Sequence, residues 1–414
     1  MMKNFNKTLL AIAVTLASTQ AIAAGFQLNS QSATGLGRAF AGDAVIADNA
    51  SAMARNPAAM ALFDTTSISV GMTYIDTDVT LSDAQYSLAP MGSSNPQAIP
   101  DVSDIGGASL VPNIFIVHPL NDKWAVGFGT YSNFGTTTEY PDDFAAELFG
   151  GTTKVRSVNI QASVSYRINE QFSLGAGIDV IKGSGNLQRE FMGNTILDVD
   201  AEGYGLGWHV GAIYEVNENH RFGLSYRDSP TIKAEGDFQY LGQSAADDTL
   251  HLPLPAMAEF SGFHQLTNQF ALHYSAQFIQ WSAFDTLDTD EFGTIKEYNW
   301  RDTWHLSLGG TYTINDTWTA RAGYMYDMGA VDQIKSIAIP DSDRQWFSAG
   351  LTYSLSKHAD IDLGITYLMG EDVNVTETQN LPPLDGKDIP FVAQINGTTL
   401  ANAWLYGIQY SYKF

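Results

Sequence analysis

Two acidic clusters come nearest, by residue type and spacing, to a site that could do chemistry. Asp198-Val199-Asp200 and Asp288-Thr289-Asp290-Glu291 place carboxylates close together, and carboxylate oxygens are the ligands that hard divalent cations take. Solvated loop charge is the plainer reading of both. Other chemistry is harder to place. No G-x-S-x-G elbow, H-E-x-x-H pair or P-loop occurs. Gly35-Leu36-Gly37 lacks the rest of a dinucleotide fingerprint, and no strand precedes it. The eight histidines are scattered, and the chain has no cysteine for thiol chemistry or disulfides. A lipid hydrolase would need a nucleophile and a base that the sequence does not reveal. The expectation is therefore no enzyme, no cofactor and no metal. The excess of 45 acidic over 21 basic residues also argues against a nucleic-acid partner, whose phosphates need a basic footprint.

The elements that must position any site are strands. Residues 1–23 read as a signal peptide: Lys3 and Lys7 precede an apolar stretch from Leu9 to Ala17, and Ala21-Ile22-Ala23 is a small-x-small cleavage site. No other stretch has the 18 consecutive apolar residues of a membrane helix. Period-2 alternation recurs instead. Trp404, Tyr406, Ile408, Tyr410, Tyr412 and Phe414 fall on one face, against Leu405, Gly407, Gln409, Ser411 and Lys413 on the other. Similar alternation starts near 157, 206, 270 and 346. A soluble sandwich would share the period, but three features favour a membrane barrel. The strands are about 10–12 residues long, aromatics sit at the ends of the apolar faces, and short connections alternate with long ones.

The short connections are turns built on Asn, Asp, Ser or Thr, such as Asn121-Asp122-Lys123, Asn169-Glu170-Gln171 and Asn315-Asp316-Thr317. Long loops are expected at roughly 76–108, 136–156, 188–205, 237–252, 282–302, 329–345 and 371–402. This gives fourteen strands, beginning near 67, 109, 124, 157, 172, 206, 221, 253, 270, 303, 318, 346, 359 and 403. The fold class is thus all-β, a 14-stranded antiparallel transmembrane β-barrel over 64–414. Its short turns lie in the periplasm, and its fourteenth strand pairs with its first. Residues 24–63 do not alternate, and side chains alone cannot fill so wide a barrel. This segment is expected in the lumen as a hatch.

Several motifs, in order along the chain, carry a resemblance. Ala24-Gly25-Phe26-Gln27-Leu28-Asn29, Gly35-Leu36-Gly37-Arg38-Ala39-Phe40 and Asn56-Pro57-Ala58 resemble the N-terminal hatch of the FadL family of outer-membrane long-chain fatty acid transporters. Val111-Pro112-Asn113, Ser132-Asn133-Phe134-Gly135, Ile337-Ala338-Ile339-Pro340-Asp341 and Ala403-Trp404-Leu405-Tyr406-Gly407 extend it across the chain.

The resemblance implies passive transport of a long-chain fatty acid through a hydrophobic pocket, with hatch movement and lateral exit. It points to Arg189 and Lys296 as the pair that holds the carboxylate. Phe26 is the hatch residue against the pocket, and Asn56, Pro57 and Ala58 form a turn that holds the hatch. Asn133, Phe134 and Gly135 mark a kink that opens the third strand, where glycine suits a site with no side chain to pack or with unusual dihedrals. The loop at 188–205 is short for the family, which puts its outer capture groove in doubt. The expected partners are a hydrophobic ligand, outer-membrane lipid and the barrel-assembly machinery that reads a C-terminal Phe. The protein is expected to be a monomer in the outer membrane of a Gram-negative bacterium. The alternatives are uptake of uncharged compounds such as aromatic hydrocarbons, or a general aqueous porin.

Overall fold

The structure, a computed structural model, describes residues 25–332, 334–383 and 390–414; the expected signal peptide lies outside them. The described residues form fourteen wall strands. They are β1 (Ser67–Pro90), β2 (Ala108–Pro119), β3 (Trp124–Tyr131 and Gly135–Glu139), β4 (Thr152–Arg167), β5 (Phe172–Phe191), β6 (Asn194–Asn217) and β7 (His220–Arg227 and Thr231–Tyr240). There follow β8 (Gln243–Pro253 and Met257–Gln265), β9 (Phe270–Ile279 and Thr286–Thr289), β10 (Gly293–Glu297 and Thr303–Thr313) and β11 (Trp318–Asp327). The last three are β12 (Arg344–Ser356), β13 (Ala359–Gly370 and Val373–Pro383) and β14 (Pro390–Lys413). Neighbours in sequence pair antiparallel. β1 pairs β14 from Ser67↔Lys413 to Pro90↔Phe391, which closes the barrel.

The alternation sorts the two faces as expected. Along β14, Trp404 is 43% exposed and Gln409 1%. Tyr406, Ile408 and Tyr410 share the outer face, while Ala403, Leu405 and Ser411 are buried within. An apolar outer face and a mostly polar inner one is the arrangement a bilayer selects. At the short-turn rim the Asn side chains hold the turns. Asn121 Oδ1 accepts from the Lys123 and Trp124 amides at 3.0 and 3.1 Å, and Asn315 Oδ1 from those of Thr317 and Trp318 at 2.9 and 3.0 Å.

At the other rim the structure corrects several expected loops. The range 188–205 is not a loop: β5 and β6 stay paired from Phe172↔Tyr214 to Phe191↔Asn194 and turn at Met192-Gly193, both with positive φ. Likewise 237–252 is a hairpin turning at Leu241-Gly242, and 282–302 contains the pairing of Thr286–Thr289 with Gly293–Glu297. Most of 371–402 is the pairing of β13 with β14, and β1 runs on to Pro90. Strands β4, β6, β8, β10 and β14 therefore begin earlier than alternation places them. The reason is physical. Only about 9–11 residues cross the bilayer, and beyond that band the outer face turns polar, as at the Lys182–Glu202 pair. Ladder hydrogen bonds continue without needing an apolar face.

Residues 25–63 lie inside the wall. They form two short helices, α1 (Ala33–Leu36) and α2 (Ala52–Arg55), and a 3-10 helix (Pro57–Leu62). Irregular backbone at membrane depth must be satisfied by protein, because each buried orphan group costs roughly 1–3 kcal/mol. Inward side chains of the wall supply the partners. The Ala33 amide donates to Gln409, that of Gly42 to Ser275, that of Ala44 to Ser261 and that of Ala50 to Ser69, all within 2.9–3.2 Å. Carbonyls are served too: Gln161 donates to Met53 O at 2.8 Å and Arg227 to Ala54 O at 2.7 Å.

Candidate ligand-binding site

Asn56, Pro57 and Ala58 form the expected turn. Asn56 Oδ1 accepts from the Ala58 amide at 2.9 Å, with Pro57 at the first position of the 3-10 helix. Asn56 Nδ2 also donates to Ala44 O at 2.6 Å and to Ala212 O of the wall at 3.1 Å. The turn seats against Gly175 and Gly211. A Cβ on Gly175 would stand 2.3 Å from the Ala58 amide nitrogen, and one on Gly211 1.9 Å from Asn56 Oδ1. The wall must be bare there for the segment to dock.

The ladder between β2 and β3 runs only from Pro119↔Ala125 to Ile114↔Thr130. Strand β3 then breaks between Tyr131 and Gly135, at the expected Asn133, Phe134 and Gly135. The start of the N-terminal segment lies across this break. Gly135 N donates to Phe26 O at 2.7 Å, and Leu28 N to Asn133 O at 2.6 Å. Gln27 bridges Phe134, and Asn113 of β2 donates to Ser30 O at 3.1 Å. Gly135 is not in the left-handed region, so unusual dihedrals are not its reason. A Cβ there would lie 3.3 Å from Leu28 Cδ1 and 3.4 Å from Val155 O, so the space beside it is tight.

Phe26 is fully buried in an aromatic cluster. Its ring centroid lies 5.8 Å from Phe134, 4.9 Å from Trp281, 5.0 Å from Phe284 and 5.7 Å from Trp300. Phe284 and Trp300 in turn pack on Tyr298, at 4.6 and 5.6 Å. Lys296 Nζ stands 5.8 Å from the Tyr298 ring centroid. Aromatic contacts thus run from Lys296, through the cluster, to Phe26 and the break in the wall. Aliphatic side chains such as Leu187, Ile232, Leu250 and Leu287 extend the cluster.

Arg189 and Lys296 share neighbours on the inner side of the extended strands. Arg189 follows the inward Leu187 by two residues and donates to Thr152 O at 2.5 Å and Thr153 Oγ1 at 2.6 Å. Lys296 is opposite Leu287 and pairs with Glu377 Oε2 at 3.1 Å. Burial pulls the Arg189 guanidinium below its ordinary pKa, and nearby Tyr298, Glu377 and Tyr140 oppose that pull. Burial pushes the Tyr298 phenol up, with Lys296 and Arg189 opposing. Arg189 and Lys296 therefore each act on Tyr298 and on Glu377, at the end of the aromatic run.

The sequence reading did not single out Trp281, Phe284, Tyr298, Trp300, Asp341 or Glu377. Phe284, Tyr298 and Trp300 were legible in principle, since so many large rings in an expected loop are themselves a signal. Asp341 lies within a quoted motif, and its carboxylate gathers distant parts of the chain. It accepts from the Gly25, Ala330 and Val331 amides at 3.1, 2.6 and 3.0 Å and from Arg344 at 2.5 Å. Glu377 gave no such signal.

The second acidic cluster is engaged by protein donors. Asp288 accepts from Thr286 and Thr294, both at 2.6 Å, which holds its carboxyl below the usual range. Asp290 lies 2.8 Å from His251, and that hydrogen bond lowers its carboxyl likewise. Among the described residues no group of three or more His, Asp or Glu is arranged to hold a metal ion. One constellation has the spacing of a hydrolytic triad. Ser163 Oγ is 2.8 Å from His209 Nε2, and His209 Nδ1 is 2.6 Å from Asp179 Oδ2. Yet Asp179 is also bound by Arg227, and Gln161 engages both Ser163 and His209. Gln161 and Arg227 are the residues that grip Met53 O and Ala54 O. The network therefore braces the N-terminal segment against the wall.

Comparison with known proteins settles the family. Residues 14–414 match the family described as outer membrane protein transport protein (OMPP1/FadL/TodX). The chain belongs to this family. The long-chain fatty acid transport protein of Salmonella typhi is 34% identical over 453 residues, which cover 99% of each chain. Outer membrane protein P1 of Haemophilus influenzae is 35% identical over 464 residues, 100% of each. A solved FadL homologue from Pseudomonas aeruginosa superposes with a TM-score of 0.81 at 22% identity, covering 94% of this chain and 100% of that one. The toluene transporter TbuX of Ralstonia pickettii gives 0.66 at 16% identity, covering 92% and 98%. This FadL-family chain is an outer-membrane barrel of a transport family, and its fold is shared by relatives named for acids and for toluene.

Proposed function

We propose that the protein carries long-chain fatty acids passively across the outer membrane. The observation that carries this is the aromatic run from Lys296 to Phe26 and the break at Asn133–Gly135, with the Arg189 charge felt at the same Tyr298. A fatty acid needs an apolar bed and a cation at one end. Each buried methylene contributes about 0.8 kcal/mol, so a long chain outweighs its head group, whose charged hydrogen bonds are worth roughly 1.5–3 kcal/mol each. The acid enters at the cationic end and displaces the rings. Phe26 moves with the segment from Gly25 to Leu28, the break in the wall clears, and the ligand leaves sideways into the bilayer. In this reading residues 1–23 are removed on export, 24–63 act as the hatch and 64–414 as the barrel. The protein works as a monomer, and Phe414 closes the strand read by the assembly machinery.

One observation favours a second reading. Lys296 already has an anion in Glu377, an arrangement that also suits an uncharged aromatic ligand. Equilibrium binding of labelled oleate to the purified barrel, with toluene as competitor, separates the two. Saturable oleate binding that excess toluene leaves in place supports the acid. Displacement by toluene, with no preference for oleate, supports the hydrocarbon.

A further inference from the structure

The carboxylate pairing with Lys296 belongs to the chain itself. Glu377, on the outer segment of β13, places Oε2 3.1 Å from Lys296 Nζ. Its Oε1 accepts from the Ile337 amide at 2.7 Å. The side chain is only 11% exposed, so water screens its charge weakly. Tyr140, whose hydroxyl donates to Ile337 O at 2.9 Å, and Ser336, which accepts from Lys296 at 3.1 Å, fix the surroundings on either side. An incoming ligand carboxylate would meet the two cations with a negative charge already in place. Two carboxylates on one ammonium repel each other, and the second binds less well for it.

We propose that Glu377 is a resident competitor for the ligand's carboxylate and sets the affinity of the site for anions. It keeps Lys296 paired while the site is empty, so the cation is not stranded in an apolar setting. It also weakens the hold on a bound acid, which a transporter must release. A ligand with no charge gains nothing from displacing it. The inference rests on the fatty acid reading given above.

The substitution Glu377→Gln removes the charge and keeps an oxygen for the Ile337 amide, so the loop that carries Ile337 retains its tie. Binding of oleate and of methyl oleate is measured on the intact barrel, for wild type, E377Q and the double variant E377Q/K296M. The expected result is that E377Q binds oleate about tenfold tighter, with the ester unchanged. The gain is smaller in the double variant, because most of it acts through Lys296. Equal affinity of E377Q and wild type for oleate would overturn the proposal. So would a parallel loss for acid and ester, which is the mark of a merely structural residue. A wild-type barrel that binds no oleate would remove the fatty acid reading and this inference together. A wild type that binds oleate, with E377Q unchanged, would remove this inference alone.

Discussion

Among the side chains of the site, some act on the ligand's head group and others on its chain. Arg189 is held by the backbone oxygens of Thr152 and Gln188 and by the Thr153 hydroxyl, so its guanidinium is positioned before any ligand arrives. Arg189→Ala removes a cation from an inner, half-buried site. It is expected to weaken oleate binding about tenfold or more, since charged hydrogen bonds are worth roughly 1.5–3 kcal/mol. Methyl oleate is expected to lose less. Calorimetry with both ligands checks this, and equal losses would take the carboxylate role away from Arg189.

At the element scale, the N-terminal segment and β3 act as one unit. Gln27 and Phe134 face each other as an antiparallel pair flanked by the bonds Leu28 N to Asn133 O and Gly135 N to Phe26 O. Such a non-hydrogen-bonded pair brings Cα atoms to about 4.5 Å, within the range a disulfide spans. The chain has no cysteine of its own, so Gln27→Cys with Phe134→Cys gives a single possible bridge. Oxidised, the variant is expected to bind oleate but not deliver it; reduction restores delivery. Uptake assays with and without reductant test this, and full uptake by the oxidised form would rule out exit past the break. This scale also shows what the sequence could and could not tell. The number of strands, the outward face of β14 and the Asn-held turns were legible because each follows from local pattern. The outer lengths of β5, β6, β13 and β14 were not, because their ladders continue where alternation stops. The break in β3 was found by resemblance. The bonds made there, from Leu28 N to Asn133 O and from Gly135 N to Phe26 O, join residues far apart in the chain. Glu377 meets Lys296 across 81 positions, and nothing local marks either residue.

At the scale of the whole molecule, a closed wall of fourteen strands surrounds a segment that the wall's own side chains hold in place. Arg55 of the segment pairs with Glu259 of β8 at 3.4 Å and Asp48 with Arg321 of β11 at 3.6 Å, while Arg38 ties Asp43 and Asp48 together within the segment. Breaking a buried pair by removing one partner costs roughly 3–5 kcal/mol, so the segment resists simple displacement. A general porin needs an open aqueous lumen. This barrel is expected to show little steady single-channel current in planar bilayers, and a large ohmic conductance would favour the porin.

The central claim is delivery of a long-chain acid across the outer membrane. Its most direct measurement is uptake of labelled oleate by cells that lack their own transporter and express this protein in the outer membrane. The account predicts that expression restores saturable oleate uptake. Expression at the cell surface with no gain in uptake would contradict it.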